Sequence, residues 1–250
     1  MTPSITDRSP GPDPYMDLVT LYFTPDPQRL IWAAMHQCYS SDPVVALPDM
    51  DHSAAGHAIV RALLASDRGH YGPLEHPTVT FCAQGFPHSV MQQARTHRVG
   101  VSFDCQSFRY TSRNILEVAM GLRAPEEAFY LRPVGTYPDR NGGRFRYTEA
   151  MRETDLRLCT QAAIHYRDAM GEGMPEEQAR GMLPFDYRQH FLVSFNLRSA
   201  FHFLDLRAKL DAQLEVRWLA DLVMDRVRLW APELAEWYEV HRYRKARLAP

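Results

Sequence analysis

Two stretches of the chain alternate apolar and polar side chains with a period of two. In residues 78–83, Val79, Phe81 and Ala83 alternate with Thr78, Thr80 and Cys82. In residues 188–195, Phe191, Val193 and Phe195 alternate with His190, Leu192 and Ser194. Successive side chains of a strand point to opposite faces, so each stretch reads as a half-buried strand with one apolar face to cover. Residues 17–23, DLVTLYF, are β-branched and aromatic and read as a further strand. Helical spacing supplies the cover. Asp26 as N-cap and Pro27 at the first helical position open a helix to about Tyr39. Residues 53–66 turn Ile59, Val60, Leu63 and Leu64 inward, and residues 148–170 place Met151, Leu158, Ala162 and Tyr166 on one side, with Gly171 as the stop. Toward the C-terminus Ala212, Val216, Leu219, Val223, Val227 and Trp230 recur at three-four spacing. Strands separated by helices of unequal length favour an α+β fold, an antiparallel sheet flanked by helices with long C-terminal helices, over a doubly wound sheet.

The remaining segments are shorter. Residues 87–98 read as a helix with Val90, Met91 and Ala94 inward and Gln93 and His97 one turn apart; Gly100 ends it, and residues 101–112 are loop or short strand. Pro175-Glu176-Glu177 opens a short helix that carries Arg180 and stops before Pro184. Residues 40–51 and 67–77 are loops, and residues 123–147 are an excursion with the turn signal Asp139-Arg140-Asn141-Gly142-Gly143. A chain of 250 residues, 45% hydrophobic, has ample material for a buried core. The expected organisation is a flexible lead-in over residues 1–16, proline-rich and without the apolar run of a signal peptide or membrane anchor, and a single domain over 17–250. No later stretch approaches a membrane span.

Four cysteines, Cys38, Cys82, Cys105 and Cys159, show no close pairing and no metal-type spacing, which fits reduced thiols in a cytoplasmic protein without a metal site. Asp51, His52 and His57 are too loosely spaced for a metal centre and lack a third partner of the right kind. The net charge of −2 gives no basic field to draw the protein to nucleic acid, so any anion site is local. The place for one is residues 92–110, QQARTHRVGVSFDCQSFRY, where arginines, a histidine, serines and aromatics crowd together. Grouped guanidinium forks match phosphate oxygens and imply a phosphorylated small molecule. Arg180 and residues 196–217 are the other polar clusters; there Arg198 and His202, and Arg207 and Asp211, are each four apart and share a side if the helix is continuous. Taken alone, such pairs are surface salt bridges more often than ligands. Neither G-x-G-x-x-G nor a Walker sequence is present, so a dinucleotide here is not held by a glycine-rich loop.

RTHRVGVSFDCQSFRYTS, with GHYGPLEHPTVTF before it and NLRSAFHFLDLRAKLDAQLEVR after it, resembles the flavin-dependent thymidylate synthases over about residues 17–230. The signature of that family is Arg-His-Arg, seven or eight residues, then Ser; here eight residues separate His97-Arg98 from Ser107. The resemblance implies reductive methylation of dUMP to dTMP with FAD, methylenetetrahydrofolate as one-carbon donor and NADPH as reductant. It also implies a homotetramer with active sites shared between subunits, and no nucleic-acid or membrane partner. By it His97, Arg98, Asn196, Arg198 and His202 fall at flavin-contacting positions, with His76 near flavin and folate. Gln93, Ser107, Phe108, Arg109, Arg180 and Arg207 fall where dUMP is held. Arg109 and Arg180 suit the phosphate. Arg207 sits at the uracil, where a fixed cation stabilises developing negative charge. Arg207 and Ser107 are thus expected at the chemistry, Ser107 as a binding hydroxyl, since no motif gives it a partner base. Cys105, close by, reads as a packed thiol.

Two positions depart from the family pattern. Thr96 stands where the signature has its first arginine, with Arg95 one place earlier and turned by about 100° if the segment is helical. Asp211 stands where some relatives carry a flavin-contacting histidine. Two other readings remain: a folate- and flavin-dependent uracil methylase acting on RNA, which the near-neutral charge disfavours, and a catalytically silent nucleotide-binding homologue, for which Thr96 is the only support.

Overall fold

The computed structural model describes residues 5–46, 49–65, 69–139 and 141–245. Ser66 at the expected end of the second helix, Asp67 and Arg68 of the loop after it, Arg140 of the turn, and residues 1–4 of the lead-in lie outside the described residues. In chain order the elements are β1 (Ser9–Pro10), β2 (Asp17–Phe23), α1 (Pro27–Gln37), α2 (His52–Ile59), β3 (Thr78–Pro87), α3 (His88–Ala94) and β4 (Val101–Cys105). There follow α4 (Arg113–Ala119), α5 (Pro125–Ala128), the hairpin β5 (Gly135–Pro138) and β6 (Arg144–Tyr147), α6 (Glu149–Gly171) and α7 (Glu176–Ala179). The last are β7 (Arg188–Asn196), α8 (Leu197–Arg207), α9 (Leu214–Trp230) and α10 (Pro232–His241).

One sheet has the order β1-β2-β3-β7-β4. β1 pairs antiparallel with β2, and β2 with β3. Along β3 and β7, Thr80 meets Ser194 hydroxyl to hydroxyl at 2.8 Å, and the His88 amide donates to the Tyr187 carbonyl at 3.0 Å. Partner numbers fall as residue numbers rise, so this pair is antiparallel too. The α+β reading holds, and so does the alternation: Val79, Phe81, Ala83, Phe191, Val193 and Phe195 are all buried. Residues of the expected lead-in are held here, β1 by its pairing with β2 and Met16 by burial.

The chain divides into two compact units, one of Met1–Gln84, Gln93–Asp104 and Leu192–Pro250, the other of Gly85–Gln92 and Cys105–Phe191. In the first, α1 packs on α2, α10 on α2 and α9, and α8 on α9. Its core includes Leu18, Ile31, Ile59, Phe81, Phe195, Phe203, Val223 and Tyr238. In the second, α4 packs on α6 around Phe108, Ile115, Val118, Phe129, Cys159, Ala163 and Tyr166.

Three local expectations are corrected. Asp26 does not cap α1 through its side chain: its backbone is left-handed (φ 48°), and its carboxylate pairs with His52 Nδ1 at 2.8 Å and Arg29 at 3.3 Å. Asp51 is the side-chain cap instead, accepting the Ser53 and Ala54 amides at the start of α2. The α2 helix then widens into a π-turn over Val60–Leu64, which buries Leu63 and Leu64 but leaves Val60 partly exposed. On α6 only Tyr166 of the expected inward residues is buried; the packed face is Cys159, Ala163, Tyr166 and Ala169, while Met151 and Leu158 are exposed. Two interleaved sets satisfy three-four spacing on that helix, and the smaller side chains are the ones that let α4 approach. Among the described residues no helix is long and apolar enough to cross a membrane.

Gly100 needs its glycine. Its φ is +66°, and a Cβ would overlap the Ser199 hydroxyl and the Asn196 side-chain amide. Both belong to the cap of α8, where Asn196 Oδ1 accepts the Ser199 amide at 2.8 Å and the Asn196 amide donates to the Gly100 carbonyl at 3.2 Å. Gly100→Ala should therefore destabilise the protein by about 2 kcal/mol, read as a lower urea midpoint; an unchanged midpoint would contradict the crowding.

Candidate active site

Helix α8 is the scaffold of the site in the first unit. It begins at the Asn196 cap and ends at Arg207, with Ala208 as C-cap. Arg198 and His202 are one turn apart on it, as expected, and line a cleft with Tyr71, Leu74, Phe201 and Trp237. Arg198 donates to Glu75 Oε1 at 2.6 Å and lies over the Tyr71 ring. Both partners are substantially exposed, so the pair positions the guanidinium more than it stabilises the fold. Because α8 stops at Arg207, Asp211 lies beyond the helix end and is exposed; Arg207 and Asp211 do not share a helical side.

Arg207 instead reaches back to the end of α3. Its Nε–H donates to His97 Nε2 at 2.9 Å, and its Nη2 donates to the Gln93 carbonyl at 3.0 Å and to Thr96 Oγ1 at 2.8 Å. The Thr96 hydroxyl in turn donates to the same Gln93 carbonyl at 2.7 Å. These bonds explain why α3 ends at Ala94 and not at Arg98. In a continuing α-helix the Gln93 carbonyl would accept the His97 amide. Here it is taken by Arg207 and Thr96, and the His97 amide turns to the Ala94 carbonyl at 3.2 Å. Arg95 therefore lies in a turn, where helical rotation does not apply. The Gln93 side chain donates to Gln213 Oε1, whose own amide donates to the buried Glu215 at 2.8 Å. Sequence reasoning passes over Gln213 and Glu215; the available signal is a carboxylate on the inward side of α9.

His97 is 6% exposed. Its ring meets Phe203 edge-on at 5.2 Å, Phe203 meets Phe195 at 5.3 Å, and Phe195 meets Phe81 at 6.4 Å, so aromatic packing runs from the sheet to the imidazole. Burial, then the Arg207 cation, then His202 (ring centroids 5.4 Å away) lower its pKa from 6.5 to about 4. The ring is neutral at pH 7, and since Nε2 accepts from Arg207, Nδ1 carries the proton. That Nδ1 is buried without a hydrogen-bond partner among the described residues. Burial lowers the pKa of Arg207 as well.

His76 is exposed just after a 3-10 turn over Gly72–Glu75, and Arg98 is exposed. The second unit carries the rest. Ser107 is exposed, its carbonyl accepting the Tyr110 amide at 2.9 Å. The Phe108 ring is committed to packing, edge-on to Tyr187 at 4.8 Å and Tyr166 at 5.9 Å. Arg109 lies 3.9 Å from Glu177 and over the Tyr110 ring. Arg180, one turn after Glu177, is exposed, and its guanidinium has no hydrogen-bond or ion-pair partner among the described residues. Of the residues expected at dUMP, Gln93 and Arg207 thus belong to the first unit and Ser107, Phe108, Arg109 and Arg180 to the second. Cys105 is exposed, not packed. Asp51 and His52 are occupied as cap and ion-pair partner, and no group of three or more metal-ligating side chains occurs among the described residues.

A buried neutral histidine makes stability depend on pH. Unfolded, His97 takes a proton near 6.5; folded, only near 4. The unfolded state therefore binds the proton first as pH falls, and stability present above 6.5 is lost between 6.5 and about 4. A shallower decline of the urea midpoint over that window is expected for His97→Gln than for the wild type, and identical slopes would count against the assignment.

Comparison with known proteins gives one family. A relative from Halobacterium salinarum named flavin-dependent thymidylate synthase is 35% identical over 91% of this chain and 97% of its own length. One of the same name from Haloarcula marismortui is 32% identical over 94% of this chain and its full length. Among solved structures, the UMP/dUMP methylase PolB from Streptomyces cacaoi, bound with 5-Br dUMP, covers 94% of this chain and 97% of its own at a TM-score of 0.74. Its identity is 19%, a likeness of fold. The family model described as thymidylate synthase complementing protein matches residues 19–233, and the chain belongs to that family.

Proposed function

We propose that this protein is a flavin-dependent thymidylate synthase that reductively methylates dUMP to dTMP, using methylenetetrahydrofolate as one-carbon donor and NADPH as reductant. The observation that carries the reading is Arg207, a guanidinium locked on one edge by His97, Gln93 and Thr96. Arginine has five N–H donors. The Nε and Nη2 hydrogens are engaged, and Nη1 has no partner among the described residues. A cation held this way can meet charge developing on a uracil oxygen without reorganising.

The residues fit a flavin on one specific ground: His97 Nδ1–H is a buried donor without an acceptor, and a flavin offers ring nitrogens and carbonyl oxygens. His76, His97, Arg98, Asn196, Arg198 and His202 are the residues proposed to hold it. When bound, FAD supplies the hydride chemistry. Asn196 already spends its Oδ1 on the α8 cap, which leaves its amide nitrogen for a ligand. Gln93, Ser107, Phe108, Arg109, Arg180 and Arg207 are proposed to hold dUMP, with Arg109 and Arg180 at the phosphate and the backbone of Phe108 serving where its ring cannot. The working form is proposed to be a cytoplasmic homotetramer with active sites shared between subunits.

The purified protein should be yellow, its flavin absorbance should change on addition of dUMP, and NADPH oxidation should depend on dUMP. Labelled one-carbon units should pass to dUMP in preference to UMP or to uridine in RNA; preferential transfer to RNA would favour the uracil methylase reading. A protein that neither carries nor accepts FAD would overturn the proposal. Arg207→Ala should lower kcat/KM for dUMP by about a hundredfold or more, the scale of losing one preorganised group that stabilises transition-state charge.

A further inference from the structure

We propose that Thr96 is a positioning residue for Arg207, and that this chain orients its uracil-facing cation through a hydroxyl where the family signature has an arginine. The inference rests on the function proposed above. Thr96 Oγ1 is both acceptor and donor: it takes a hydrogen from Arg207 Nη2 at 2.8 Å and gives its own to the Gln93 carbonyl at 2.7 Å. Arg207 Nη2 meets that same carbonyl at 3.0 Å. Guanidinium, hydroxyl and carbonyl thus close a triangle. With the Nε bond to His97 at 2.9 Å, three hydrogen bonds hold the Nε and Nη2 nitrogens of the guanidinium. A planar group held by three hydrogen bonds from two of its nitrogens cannot rotate about its Cδ–Nε bond without breaking one of them.

The side chain at position 96 must accept a hydrogen bond for this to work. Arginine has no acceptor, so the family's usual residue could not occupy this corner of the triangle. Serine or threonine can. Position 96 is exposed, which separates the positioning role from a stabilising one. A hydrogen bond that competes with water adds little to the folding free energy, yet it still selects one orientation of a cation that has others open to it. The neutral state of His97 is part of the device, because a protonated imidazole would present a donor to Arg207 where an acceptor is needed.

The test compares Thr96→Val, which keeps the shape and removes the hydroxyl, with Thr96→Ser, which restores it. In the FAD-loaded enzyme Thr96→Val should lose about tenfold in kcat and in kcat/KM for dUMP together, the size expected for a hydrogen bond to a charged group. Its KM, flavin content and melting temperature should match the wild type, and Thr96→Ser should recover the wild-type rate. In a crystal structure of Thr96→Val, Arg207 should leave the Gln93 carbonyl or adopt more than one orientation. Wild-type kcat in Thr96→Val, an equal loss in Thr96→Ser, or an Arg207 that keeps both remaining bonds in the Thr96→Val crystal would each overturn the proposal. If the wild-type protein shows no dUMP-dependent NADPH oxidation, the functional reading fails by itself, while the crystal comparison still decides whether Thr96 positions Arg207.

Discussion

The neutrality of His97 is the condition on which the arrangement of this site depends. A protonated imidazole has no lone pair for Arg207 Nε–H, and two cations would then face one another across 2.9 Å. What keeps the ring neutral is first its burial, with Phe203 edge-on against it and Phe195 and Phe81 packed in turn behind Phe203, and only then its charged neighbours. Apolar packing against the sheet therefore has an electrostatic product. It determines which nitrogen of His97 accepts and which donates, and through that it determines where the Arg207 guanidinium lies.

The end of α3 and the binding of Arg207 are one event seen from two sides. A helix must leave its last carbonyls without helical partners. Here the Gln93 carbonyl is taken by a side chain from α8 and by Thr96, so the helix terminus is satisfied by residues proposed above for the site. The same economy appears at the other end of α8, where the Asn196 side chain caps the helix while Gly100 makes room for it. Fold stability and site geometry share atoms at both termini, so their mutational effects will overlap there and separate at exposed Thr96.

How much of this was legible in the sequence depended on whether the cause was local. The strands at 78–83 and 188–195 were legible because alternation is a property of the stretch itself, and both bury the residues that alternation selects. The inward face of α6 was not, because Leu158 and Cys159 belong to equally well-spaced sets and only the approach of α4 distinguishes them. Asp26 followed the usual chemistry of a helix start, but His52, 26 residues away, claims its carboxylate. The early end of α3 was invisible because its cause is an arginine 114 residues later. For the candidate site, residue type and the family signature single out arginines and histidines. That the Phe108 ring is packed in a core, and that Thr96 is bonded on two sides, follows only from the three-dimensional arrangement.

Helix α8 ties Asn196 and Arg207 to a common rod. Leu197–Arg207 is 11 residues, a rise of about 16 Å. One added or deleted residue within it would move everything beyond by about 1.5 Å and turn it by about 100°, taking Arg207 away from His97 while leaving the cap untouched. The side chains between the two ends can change, subject to packing, but their number cannot. For chains that share this arrangement, the interval from the capping asparagine to the clamped arginine is a fixed length, and a gap there in an alignment marks a protein that has lost the clamp or rebuilt it from other residues.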